Sequence, residues 1–92
     1  MRTVARPAST ESQARRRHLL RLRDALCQHG VPVRVVKLRH ERWLLKVNSE
    51  SVLCAGAEGV YVYVTRQGRI LSPASDEGVV AAALQLAESA RR

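Results

Sequence analysis

From Val31 to Leu71 the chain repeats one pattern, a short run rich in Val, Leu or Tyr followed by a turn signal. The runs are VPVRVVKLRH, RWLLKVN, SVLCA, GVYVYVT and RIL, parted by a charged turn at His40 and Glu41, a polar turn at Asn48 to Ser51, and the tripeptide RQG. Runs this short and this rich in β-branched residues form strands. Connections of so few residues join antiparallel neighbours. The pattern predicts an antiparallel meander of four or five strands, with SVLCA as a short one.

GVYVYVT alternates strictly, with Val60, Val62 and Val64 on one face and Tyr61, Tyr63 and Thr65 on the other. The valines are predicted to face the helices. The tyrosines then stand on the far face, beside either Arg34, Val36 and Leu38 or Val33, Val35 and Lys37. The first strand carries valines on both sides and leaves that choice open. Trp43 shares a face with Leu45 and Val47, which favours packing in the core or a dimer interface.

A helix is predicted on each side of the meander. Thr10 and Gln13 match a capping box, which starts the first helix near residue 11, and Gly30 followed by Pro32 stops it after residue 29. Its apolar stripe is Leu19, Leu22 and Leu26, widened by Leu20 and Cys27, with Arg17, Arg21, Asp24 and Gln28 opposite. Ser75, Asp76 and Glu77 open the second helix, whose stripe is Val79, Ala83, Leu86 and Ala90 with Val80 and Ala87 beside it. The expected fold class is therefore α+β with two layers: N-terminal helix, antiparallel meander, C-terminal helix. Residues 1–8 are expected as a flexible basic arm and 9–92 as a single domain. A chain of 92 residues suffices for one core without metal or disulfide staples.

Charge is uneven along the chain. Residues 1–46 hold twelve Lys and Arg against Glu11, Asp24 and Glu41, whereas residues 47–92 hold four against five acids. A basic half favours a polyanion or an acidic protein surface as partner. Arg15, Arg16, Arg17, Arg21 and Arg23 are the candidate nucleic-acid contacts, because the planar guanidinium fork suits phosphate. They surround the helix and make no single stripe. Fourteen of the sixteen cations are Arg, which also accords with a GC-rich coding sequence.

Chemistry-bearing motifs are missing. No Gly-rich phosphate loop, nucleophile elbow or zinc spacing can be drawn, and His18, His29 and His40 are scattered. Asp76 and Glu77 suit the start of a helix. Cys27 and Cys54 lie in apolar runs and are expected as buried free thiols. Neither a signal segment nor a membrane span is present, and a cytoplasmic setting with no cofactor and no membrane contact is the expectation.

Two resemblances follow from these motifs. The order helix, strands, helix resembles double-stranded RNA-binding domains in outline, but their lysine-rich start of the second helix is replaced here by ASDEG. The stretch VLCAGAEGVYVYVTRQGRILSPASDEGVVAAALQLA is similar to the ending of many small actinobacterial α+β proteins of unassigned activity. Val52 and Cys54, Tyr61 and Tyr63, Gly68, Ile70 and Pro73, Asp76 and Ala81 to Ala83 carry that likeness. It implies an actinobacterial origin and an accessory or regulatory setting.

The expected function is a non-enzymatic protein-interaction module, a homodimer joined through the uncovered sheet face at Trp43, Tyr61 and Tyr63, serving a protein partner. The alternative is a DNA- or RNA-binding protein that uses the arm and the first helix.

Overall fold

The computed structural model describes residues 7–48 and 50–90. Its elements are α1 (Pro7–Gln28), β1 (Val33–Lys37), β2 (Trp43–Val47), β3 (Glu50–Ala57), β4 (Val60–Thr65), β5 (Ile70–Pro73) and α2 (Asp76–Ala90). The five strands form one antiparallel sheet in chain order. Both helices pack on the same face of it, so the expected two-layer α+β fold is the observed one.

The start of α1 differs from the expectation. Pro7, the first described residue, is already helical, as are Ala8, Ser9 and Thr10. Thr10 therefore lies inside α1. Of the expected arm, Pro7 and Ala8 are helical and residues 1–6 lie outside the described residues. The end of α1 is as expected. Gly30, at φ +76°, lets its N–H reach the Cys27 carbonyl at 3.0 Å while Val31 N–H reaches that of Leu26 at 3.1 Å. Both bonds, with Val31 and Leu26 buried, make a Schellman stop.

Leu19, Leu22 and Leu26 are fully buried against Leu45, Val47, Val52 and Tyr63 of the sheet and Ala82, Ala83, Leu86 and Ala87 of α2. Cys27, expected on this stripe, is exposed. It stands one residue, or about 100°, beyond Leu26, which carries it past the contact with the sheet. In α2 the small residue Ala82 takes the buried place expected for Val80, which is exposed; a valine there would hold the helix farther from the sheet. Ser75 caps α2, its Oγ accepting from Gly78 N–H at 3.0 Å.

Strand β3 is longer than expected. Glu50 extends it at one end, paired with Val47, and Gly56 and Ala57 at the other, paired with Tyr61 and Val60. The β1–β2 loop turns through His40 and Glu41 at φ 60° and 56°, a conformation that strains a residue with a Cβ. Replacing Glu41 with Gly relieves that strain. Glu41→Gly is expected to stabilise the fold by about 0.5–1 kcal/mol, read as a rise of a few degrees in Tm. A fall in Tm would show that the turn is held by its side chain.

Candidate functional site

Parity along the sheet decides what each face offers. Val33, Val35, Trp43, Leu45, Val47, Val52, Cys54, Tyr61, Tyr63 and Thr65 share the face beneath the helices. This reverses the expectation for β4. Tyr63 is 0% exposed and its hydroxyl donates to the His18 carbonyl of α1 at 2.7 Å. Tyr61 donates to the Glu11 carboxylate, which also accepts from Glu58 N–H at 3.0 Å. The rings fill the depth between the layers, and their hydroxyls reach polar partners on α1 that valines cannot satisfy.

Trp43 also lies on the covered side. Its Nε1 donates to Ser12 Oγ at 3.0 Å, and Arg16 and Lys37 sit over its ring at 5.0 and 5.6 Å. The three aromatic residues expected at an open interface are therefore enclosed or half-buried under α1. Helix α1 also spans a split in the sheet. Pairing of β2 with β3 stops at Leu45 and Val52, so Trp43 and Cys54 face one another across a cleft of about 300 Å³. Ser12 donates to the Glu41 carbonyl on one bank, and Arg15 donates to the Gly56 carbonyl on the other through Nη2 at 2.9 Å and Nε at 3.2 Å. These ties join residues 29 to 41 positions apart, and no local motif announces them.

The helix arginines serve different ends. Arg15 holds Gly56, Arg21 pairs with Asp76 of α2 at 2.6 Å, and Arg23 pairs with Asp24 at 3.0 Å. Arg16 lies over Trp43, and Arg17 is exposed. They are not brought together on one phosphate-tracking face. Arg21, expected opposite the apolar stripe, instead reaches across to the second helix. Its Asp76 is one of the two acids at the start of α2.

Several titratable groups are tuned by this packing. The Tyr61 hydroxyl and Glu58 N–H hold the Glu11 carboxyl below its ordinary range, and the same bond raises the Tyr61 phenol. Burial pushes the Cys54 thiol up to about 12, so it is inert as a nucleophile; both cysteines are free. His18 rests against Tyr61 with centroids 5.0 Å apart, and its Nδ1 is buried without a hydrogen-bond partner among the described residues. Burial first, then Arg21 and Arg17, lower its pKa.

A lowered folded pKa means that stability is present above 6.5, the unfolded value, and declines as pH falls through it, because the unfolded chain takes up the proton first. Tm is accordingly expected to fall between about pH 8 and about pH 5, with a smaller fall in His18→Gln. An identical pH profile in that variant would contradict the assignment to His18.

The opposite face of the sheet carries Arg34, Val36, Leu44, Lys46, Ser51, Leu53, Ala55, Val60, Val62 and Val64. On the uncovered face the first strand thus presents Arg34, Val36 and Leu38, whereas the set on the face of the tyrosines is Val33, Val35 and Lys37. No described element covers this face. Val60 is 74% and Ile70 65% exposed, while Val36, Leu53, Val62 and Val64 between them are half-buried by one another. Apolar surface of this continuity is uncommon on a solitary domain.

No family model matches this chain, and no curated protein or solved structure is significantly similar to it. Among the described residues no helix is long and apolar enough to cross a membrane, and no group of three His, Cys, Asp or Glu is placed to hold a metal ion.

Proposed function

We propose that this protein is a non-enzymatic interaction module that pairs with a second copy of itself through the uncovered face of its sheet, and in that form serves a protein partner in an accessory or regulatory role. The observation that carries the reading is the apolar field from Val36 through Leu53, Val62 and Val64 to Val60 and Ile70, with both helices on the other side. Burying such a field removes apolar area from water at about 25 cal/mol per Å². Two sheets stack face to face about 10 Å apart, a spacing these mid-sized side chains fill.

Charge favours a second copy as the occupant. Register places Arg34, Lys46 and Ser51 in one row across the sheet, and Arg66, whose N–H donates to the Ser51 carbonyl at 2.9 Å, continues it. At the other end of the strands Glu58 makes the β3–β4 turn acidic, whereas Glu41 stands between Arg39 and Arg42 in the β1–β2 turn. A two-fold axis lying in the interface and perpendicular to the strands sets the cationic row of one copy toward the Glu58 turn of the other. The sheet edges are poorer meeting places for identical copies. Strand β1 carries Arg34 and Lys37, which repel their own kind, and β5 is short and ends on Pro73.

Sedimentation equilibrium of the full chain and of Val62→Asp tests the reading. The wild type is expected as a dimer at tens of micromolar, and the variant as a folded monomer, because a carboxylate in the middle of the contact is left without a partner. A monomeric wild type, or a variant that remains dimeric, contradicts it.

A further inference from the structure

The sheet has two edges, and their backbone groups meet different fates. At β5 the Leu71 carbonyl accepts from Gln85 Nε2 of α2 at 3.0 Å, and Pro73 has no N–H to offer. That edge is closed. At β1 the hairpin bond from Leu38 N–H to the Arg42 carbonyl, 2.7 Å, fixes which residues turn toward β2. In an antiparallel pair this alternates, so Arg34, Val36 and Leu38 bond inward while Val33, Val35 and Lys37 aim their N–H and C=O outward.

A groove runs beside that outward row. It lies between β1 and α1, holds about 300 Å³, and is lined by Leu20, Val33, Val35 and Trp43 below and Arg16, Arg23 and Arg34 above. Lys37 joins the rim, since its ammonium lies over the same Trp43 ring as Arg16. No carboxylate lines the groove. Arg16, Arg34 and Lys37 have no ion pair among the described residues, whereas Arg23 has Asp24.

We infer that the groove between α1 and the free edge of β1 binds an extended acidic segment of another protein, which adds to the sheet as a sixth strand. The edge N–H and C=O groups of Val33, Val35 and Lys37 supply main-chain hydrogen bonds. Alternate side chains of the added strand point into the Leu20–Trp43 floor, and its carboxylates meet the cations of the rim. The charges that keep two β1 edges apart are the charges that select an acidic strand. Free main-chain donors in register beside an apolar floor favour a peptide over a nucleic acid, because a phosphate backbone has no use for an alternating pattern of edge donors and acceptors. Apart from Arg34, which borders both, this surface is separate from the open face, so the inference stands without the proposed dimer.

The test uses fluorescence anisotropy on the full chain with five labelled probes. They are a short peptide alternating glutamate with valine, its lysine counterpart, two forms of the glutamate peptide N-methylated on one or the other set of alternate residues, and a single-stranded DNA. The glutamate peptide is expected to bind in the micromolar range and the lysine peptide not at all. N-methylation on the set of residues facing β1, and separately Arg16→Glu with Lys37→Glu, are each expected to weaken binding tenfold or more. Lys37 is exposed and Arg16 half-buried over the Trp43 ring, outside the core, so the double variant is expected to fold, which circular dichroism checks. On binding, the amides of Val33, Val35 and Lys37 are expected to gain protection from hydrogen exchange.

Three results overturn the inference: no binding of the glutamate peptide, indifference to N-methylation in both registers, or DNA that binds more tightly and displaces the peptide. The last would assign the groove to polyanions. Sedimentation of the Arg16→Glu, Lys37→Glu protein, both positions lying on the covered side of the sheet, is expected to match wild type and keeps this outcome distinct from that of the dimer.

Discussion

Tyr63→Ala is expected to lose about 3–5 kcal/mol of stability, the range for emptying a buried aromatic site. Tyr63 is the largest of the fully buried side chains, and it joins the sheet to the leucine stripe of α1. Domains of this size have about 5–15 kcal/mol in total. The substitution therefore takes a large share, and Tm should fall by about 12 °C or more. Tyr63→Phe separates the two parts of the effect. It keeps the ring and loses only the bond to the His18 carbonyl, at a cost of about 1 kcal/mol and a few degrees. Thermal melts of both variants decide the matter. Equal, small effects would mean that the ring is outside the core, as it would be with the valines of β4 turned toward the helices.

The second large effect inverts an ordinary rule. Gly→Ala inside a helix normally stabilises by about 1 kcal/mol. At Gly78, in the first turn of α2, an added Cβ would stand 1.7 Å from the Pro73 carbonyl oxygen and 2.7 Å from its carbon. These are backbone atoms at the end of β5, so relief requires α2 to move away from the sheet. Gly78→Ala is expected to destabilise by about 1–3 kcal/mol, while Ala81→Gly, on the exposed side of the same helix, loses about 1 kcal/mol through propensity alone. Gly56 shows the same constraint in a strand. Its φ is +120° and a Cβ would lie 2.0 Å from the Val60 carbonyl oxygen, so Gly56→Ala is strained by conformation and by contact together. Chemical denaturation of Gly78→Ala measures the effect; a variant as stable as wild type would show that α2 does not seat against Pro73.

What was legible in the chain was what depends on near neighbours. The meander follows from turn signals a few residues long, the end of α1 from Gly30 and Pro32, and the start of α2 from Ser75. The facing of β4 was not legible, because both of its faces are apolar and alternation then carries no contrast between core and solvent. Hydropathy favours the valines for the interior. Depth between the layers and the hydroxyl bonds to α1 favour the tyrosines, and those partners, His18 and Glu11, are about fifty residues away. The Thr10 box places the start of α1 near residue 11, whereas Pro7 to Thr10 are already helical. The length of β3 comes from pairing with β2 and β4, since Glu50, Gly56 and Ala57 have little strand preference of their own.

The candidate surfaces were half visible. An uncovered apolar sheet face follows from having two helices and one sheet, whichever residues occupy it. Its composition required the register, which exchanged Tyr61, Tyr63 and Trp43 for Val36, Leu53, Val60, Val62, Val64 and Ile70. The dispersal of the helix arginines was visible from their angular spread, but their engagement with Gly56, Asp76 and Trp43 is a property of the assembled layers.

The central claim, pairing of two copies through the open face, is tested most directly by intermolecular nuclear Overhauser effects in a sample mixing isotope-labelled and unlabelled chains. Contacts between copies are predicted among the methyl groups of Leu53, Val62, Val64 and Ile70. Contacts arising instead from α1 or the β1 edge, or no contacts between copies at all, would contradict it.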